Sequence, residues 1–111
     1  RDGRLDKRDV EKIIFFRKSL EGSLTIQRMI LFGSRVRGDH LRHSDFDVII
    51  VSEHFKHKKF VERPVDLYPY WPFDEPLELL CYAPDEFERK VNQIGTVQVA
   101  AREGVEILED M

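Results

Sequence analysis

The sequence predicts an α/β (α+β) domain, a small mixed β-sheet flanked by helices. Three observations carry that prediction. Strand-length apolar runs occur at 25–32, 45–51 and 77–82. Helical patterns lie before, between and after them. The chain has 111 residues, which leaves room for one domain, 1–111, with residues 1–4 expected to add nothing to it. The resulting order is helix, strand, helix, strand, helix, strand, helix, helix, strand, and such alternation builds a sheet with helices packed on it.

The first helix covers Asp6 to Leu20, where Val10, Ile13, Ile14 and Leu20 recur at helical offsets, and Glu21-Gly22-Ser23 stops it. Thr25 to Phe32 is β-branched and apolar and ends at Gly33, as a strand does. Gly33 to Gly38 is a turn leading into a short helix or loop. Asp45 to Val51 is a strand whose continuous apolar half belongs in the middle of a sheet. A helix is expected near 57–70, entered or kinked at Pro64. Leu77 to Tyr82 is a short strand, and Pro84 suits the first position of a helix over 85–94 that Gly95 interrupts. Val97 to Arg102 is a final helix stopped by Gly104, and Val105 to Leu108 an edge strand. Tyr68 is expected to cap the sheet and Trp71 to sit on a contact surface.

Composition excludes several function classes. Lys and Arg number 18 against 21 Asp and Glu, a net charge of −3, which disfavours a strong direct nucleic-acid ligand. The longest apolar run, Leu79 to Ala83, has five residues, far short of the ~18 a membrane span needs. No apolar signal-peptide core follows the mostly charged first twelve residues, so a cytoplasmic location is expected. The single cysteine, Cys81, excludes an internal disulfide and lies among apolar residues as a small buried hydrophobe. His40/His43 and His54/His57 lack the second pair of ligands that a zinc site needs. The basic run 54–63 is a solvated face, or a surface for an acidic partner or phosphates.

The chemistry lies in residues 31–51, LFGSRVRGDHLRHSDFDVIIV. Side chains at i and i+2 of a strand share a face, so Asp45 and Asp47 present two carboxylates side by side, with Phe46 opposite. Such a pair repels itself and is costly to desolvate. A divalent cation removes that penalty, and an oxygen-only donor set suits Mg²⁺. Gly33, lacking a Cβ, lets backbone amides approach an anion, and the Ser34 hydroxyl adds a donor. Arg35, Arg37 and Arg42 in the same loop can neutralise phosphates. A phosphate-cradling turn beside a metal-binding acid pair specifies a nucleoside-triphosphate site.

Gly33-Ser34, ten residues, then Asp45-Phe46-Asp47 resembles the nucleotidyltransferases of the DNA polymerase β superfamily, and the length and spacer resemble its minimal members. The resemblance runs from about Met29 to Ile107, with its specificity in 33–47. It implies the polymerase β-like fold, two Mg²⁺ ions with Mn²⁺ able to substitute, and transfer of a nucleoside monophosphate, AMP from ATP, onto an acceptor hydroxyl. It also implies a third carboxylate on an adjacent strand, for which Glu78 and Asp66 are the candidates. Glu78 is preferred, because a lone acid in an apolar strand needs a partner, and because Ala83-Pro84-Asp85-Glu86-Phe87 resembles the junction that follows the third acid in archaeal members. Glu in place of the usual Asp is a departure from the pattern. By the same resemblance Asp45, Asp47 and Glu78 are the catalytic and metal-binding set, Glu78 serving the attacking hydroxyl, while Gly33, Ser34, Arg35 and Arg37 hold the phosphates. Small members are paired with a helical HEPN-type toxin as its antitoxin, acting by adenylylation or by binding, so a HEPN-type partner or a homodimer is expected. The alternative is a catalytically weak binding module that neutralises a helical partner.

Overall fold

A computed structural model describes residues 5–38 and 44–111. His40, Arg42 and His43 lie outside the described residues. Helix α1 spans Lys7–Leu20; the Asp6 carboxylate accepts from the Arg8 amide at 2.8 Å, and Asp9 against Arg17 and Lys18 matches the helix dipole. Strand β1 is Arg28–Phe32, α2 the single turn Ser34–Arg37, β2 Phe46–Val51 and β3 Leu77–Tyr82. Helix α3 is Pro84–Val91, α4 Thr96–Glu103 and β4 Val105–Glu106. The sheet order is β3-β2-β1-β4; β2 and β3 run parallel, and β1 is antiparallel to both β2 and β4. The mixed α/β architecture and the central place of the 45–51 run are as expected. Among the described residues no helix is long and apolar enough to cross a membrane.

The pleat splits the core in two. One face of the sheet, through Met29, Leu31, Phe46, Val48 and Ile50, packs on Ile13, Phe16 and Leu20 of α1. The other, through Ile30, Ile49, Val51 and Tyr82, packs on Phe87 of α3 and on Val97 and Ala100 of α4. Arg17 is buried and locks α1 to the sheet by donating to the carbonyls of Ile107 at 3.2 Å and Ile26 at 3.3 Å.

Four expectations change. The first strand starts at Arg28 rather than Thr25, because the Thr25 carbonyl accepts the Ser52 hydroxyl at 2.6 Å instead of a ladder amide. The helix expected near 57–70 is replaced by turns, with 3₁₀ segments at Glu53–Phe55, Phe60–Glu62 and Tyr68–Tyr70. Pro64 and Pro69 lack the amides that an α-helical ladder would use there. Buried Arg63 fastens this crossover by donating to the carbonyls of Lys58 and Cys81, at 2.9 and 3.0 Å, and to both Glu86 oxygens, at 2.6 and 3.0 Å. The roles of two aromatics are exchanged: Tyr68 is 40% exposed. Trp71 instead packs edge-on against Phe16, Phe46 and Phe73 and donates its indole N–H to the Glu75 carbonyl at 2.8 Å. The last strand stops at Glu106, where Arg28 grips its carboxylate at 2.6 and 3.0 Å.

Candidate active site

Three neighbouring strands carry the site at one level. Phe32 of β1 pairs with Asp47 of β2, and Asp47 pairs with Glu78 of β3. Adjacent strands lie about 4.8 Å apart, so the Asp47 and Glu78 carboxylates are lateral neighbours on one face. Phe46 points the other way, fully buried under Trp71. Asp45, two residues before Asp47, adds its charge to the same group. Asp45 and Glu78 are exposed, and Asp47 is half-buried. Asp66 is an exposed turn residue of the crossover and has no place in this register.

The electrostatics follow from that crowding. Burial pushes the Asp47 carboxyl up to about 6; the hydrogen bond and charge of Glu78 and the charge of Asp45 push the same way, and Arg37 opposes them. An acid raised in the folded state keeps a proton that the unfolded chain has lost. Stability therefore falls as pH rises from about 4 to about 6, and the loss persists above that window. Asp47→Asn should melt above the wild type at about pH 7.5, and the gap should close near pH 4. Allowing for solvent screening of the half-exposed carboxylate, the gain is roughly 4–8 °C, what about 1 kcal/mol does in a domain of this size. Thermal scans across pH check it; equal melting temperatures throughout would refute the raised acid.

Gly33 is required here for two reasons. Its φ is +82°, the left-handed region that side chains rarely adopt, and a Cβ would collide with the Asp47 carboxylate. The bend and the acid are thus one packed unit, which spacing alone does not reveal. Gly33→Ala should cost about 1–3 kcal/mol in urea denaturation. Gly33→Ala/Asp47→Ala should recover the share that comes from the collision and keep the share from φ.

The two arginines of the expected phosphate cradle part company. Residues two apart on a helix point about 200° apart, so they cannot both face the acids. Arg37 is exposed and acts on Asp47. Arg35 instead turns into the core. Its guanidinium pairs with Asp9 at 3.3 Å, donates to the Ser44 carbonyl at 2.7 Å and lies 4.3 Å over the Phe46 ring. The phosphate-binding role expected of Arg35 is therefore corrected to a structural one. Asp9 holds it; from the sequence, an acid in the first turn of α1 reads as a dipole match and gives no hint of a long-range partner. Ser34 begins α2, and Gly38, in the left-handed conformation, ends it. A cavity of about 300 Å³ opens beside the bend, lined by Phe32, Gly33, Val36 and Arg37 and by Thr96 and Val99 of α4.

The donor set fits a hard divalent cation: oxygen ligands only, and a self-repelling acid pair that a cation would relieve. Among the described residues, however, no three acid, histidine or cysteine side chains are drawn into one metal-holding group.

The family model described as "Nucleotidyltransferase domain" matches residues 10–99. No curated protein matches the sequence significantly. Among solved structures, a Sulfolobus solfataricus protein assigned as a nucleotidyltransferase superposes with a TM-score of 0.60. It is 22% identical, over 74% of this chain and 73% of that one, and shares the fold.

Proposed function

This chain belongs to the nucleotidyltransferase domain family, and from that membership we propose that it carries out Mg²⁺-dependent nucleotidyl transfer, moving AMP from ATP onto an acceptor hydroxyl. The observation that carries the reading is the register Phe32–Asp47–Glu78 with the Gly33 bend seated against the Asp47 carboxylate. Asp45, Asp47 and Glu78 would hold Mg²⁺, as two ions in the polymerase β manner or with Mn²⁺ in its place, and the metal when bound supplies Lewis-acid polarisation and charge neutralisation at the phosphates. Gly33 lets the triphosphate approach the backbone, Ser34 offers its hydroxyl to the outer phosphates, and exposed Arg37 offsets their charge. The cavity beside Gly33 and Arg37 gives the donor room. Glu78, outermost of the acids, orients the acceptor hydroxyl and takes its proton. The acceptor oxygen bonds to the α-phosphorus as the bond to the departing pyrophosphate breaks. Catalysis is then positioning and electrostatics, with no cysteine or histidine nucleophile.

The acceptor is proposed to lie on another polypeptide, a helical HEPN-type partner or a second copy of this chain, in the cytoplasm. Glu in place of the usual Asp as third acid favours a second reading: a binding module that neutralises a helical partner with little catalysis. Transfer of α-labelled AMP from ATP and Mg²⁺ to a purified partner separates the two. Label on the partner supports the enzyme. No label from the wild type, with neutralisation surviving in Asp45→Ala/Asp47→Ala, establishes the binding module.

A further inference from the structure

Two adjoining cavities of about 390 and 320 Å³ form a groove on the acid-bearing side of β3, and both are lined by Phe60, Tyr82, Lys90 and Gln93. The groove reaches Leu80, which shares a sheet face with Glu78 two residues away, so it begins roughly 7 Å from that carboxylate. The phosphate-side features, Gly33 and Arg37, lie on the opposite flank of the acids, toward β1. The groove thus meets the acids from the β3 flank.

The wall of the groove is preorganised. Arg63 ties the 58–63 loop to β3 and to α3, and the Phe60 ring lies 5.3 Å from Tyr82. This tethered loop nevertheless leaves apolar groups in water: Phe60 is 43% exposed and Val61 78%, while Ile94, on the far side of the groove, is 98% exposed. Exposed apolar groups beside a tethered loop are what a docking surface presents. The rim is cationic. Lys90 lines both cavities, and Lys58 and Lys59 directly precede the lining residue Phe60; all three are exposed and have no carboxylate partner among the described residues, whereas Arg63 and Arg89 are matched by Glu86 and Asp85. This basic rim stands out on a chain whose net charge is −3.

Resting on the nucleotidyl-transfer reading, we propose that this groove docks the acceptor polypeptide through a segment with an apolar anchor flanked by Asp or Glu, its hydroxyl residue two to four positions from the anchor. That spacing follows from the strand rise: Leu80 and Tyr82 lie about 7 and 13 Å from Glu78, and an extended segment advances about 3.3 Å per residue. Leu80 and Ile94 give the groove aliphatic contacts beside Phe60 and Tyr82, which suits an apolar side chain of a polypeptide, and labelling of a polynucleotide is an outcome of the test. The segment's hydroxyl oxygen bonds to the α-phosphorus, pyrophosphate leaves, and the hydroxyl proton passes to Glu78.

The test uses ATP labelled in the α-phosphate, Mg²⁺ and two pools of synthetic nonapeptides. Each carries an aliphatic anchor and a Ser, Thr or Tyr two to four positions away; one pool has Glu flanks and the other Lys flanks. Pyrophosphate release by the wild type without peptide is measured alongside. The Glu pool should be labelled at least 10-fold more than the Lys pool. Lys59→Glu/Lys90→Glu, both on the surface, should reverse that preference, and Ile94→Asp should lower labelling of the Glu pool about 10-fold. Equal labelling of the two pools, a preference untouched by the charge reversal, or label appearing on the 3′-hydroxyl of an added oligoribonucleotide instead would each overturn the proposal. Pyrophosphate release with unlabelled peptides removes the groove and leaves nucleotidyl transfer standing. No pyrophosphate release and no labelling removes both.

Discussion

Asp45→Asn and Asp47→Asn should each lower Mg²⁺-dependent transfer from ATP by about 10²–10³-fold, the usual loss when one charge-stabilising group leaves a preorganised site. The two should combine to far less than the product of the single losses, since the carboxylates work on the same charges. Glu78→Gln should fall in the same range, whereas Asp66→Asn should stay within about twofold of the wild type. The expectation follows from the register, in which Glu78 lies opposite Asp47 while Asp66 sits in an exposed turn of the crossover. Steady-state pyrophosphate release checks all four variants. Inactive Asp66→Asn with active Glu78→Gln would mean that the third acid had been wrongly assigned. Asp47→Asn should at the same time be the more stable protein at neutral pH, because burial and its acidic neighbours oppose the ionised form. Loss of activity with gain of stability marks a functional acid and separates it from a structural one.

The elements legible in the sequence are those set by local periodicity. The apolar run through Val48 to Val51 announces a central strand because both of its faces must be covered, and β2 does lie between β1 and β3. Gly33-Ser34 and Asp45-x-Asp47 are legible as a pair because the period of a strand places both acids on one side. What the sequence hides depends on long-range contacts. Tyr68 and Trp71 differ little in local pattern; which of them is buried depends on Phe16 and Phe46, more than twenty residues away. A helix is expected near 57–70 of the crossover, yet its prolines and the Arg63 tether to Cys81 and Glu86 hold it in turns. Arg35 and Arg37 look alike in a basic loop, and only the one-turn helix between Gly33 and Gly38 separates them.

Arg35→Met should destabilise the domain by about 3–5 kcal/mol, a large share of the ~5–15 kcal/mol a domain has in total. The Arg35–Asp9 pair is buried, with each side chain 5% exposed, so removing the guanidinium takes a buried charge partner from the Asp9 carboxylate. The Ser44 carbonyl and the Phe46 ring lose their cation as well. Asp9→Leu/Arg35→Met should recover part of the loss, since it removes both charges of the buried pair while the Ser44 carbonyl still loses its donor. Urea denaturation measures both variants. The recovered double variant also isolates what Arg35 does for the site. Its grip on Ser44 fixes the backbone just before Asp45, so the double variant should fold yet transfer more slowly, through kcat, with the KM for ATP little changed. A direct phosphate ligand behaves in the opposite way: its removal raises KM and leaves the fold intact. A stable Arg35→Met with weakened ATP binding would therefore return this arginine to the cradle and displace Asp9 as its partner.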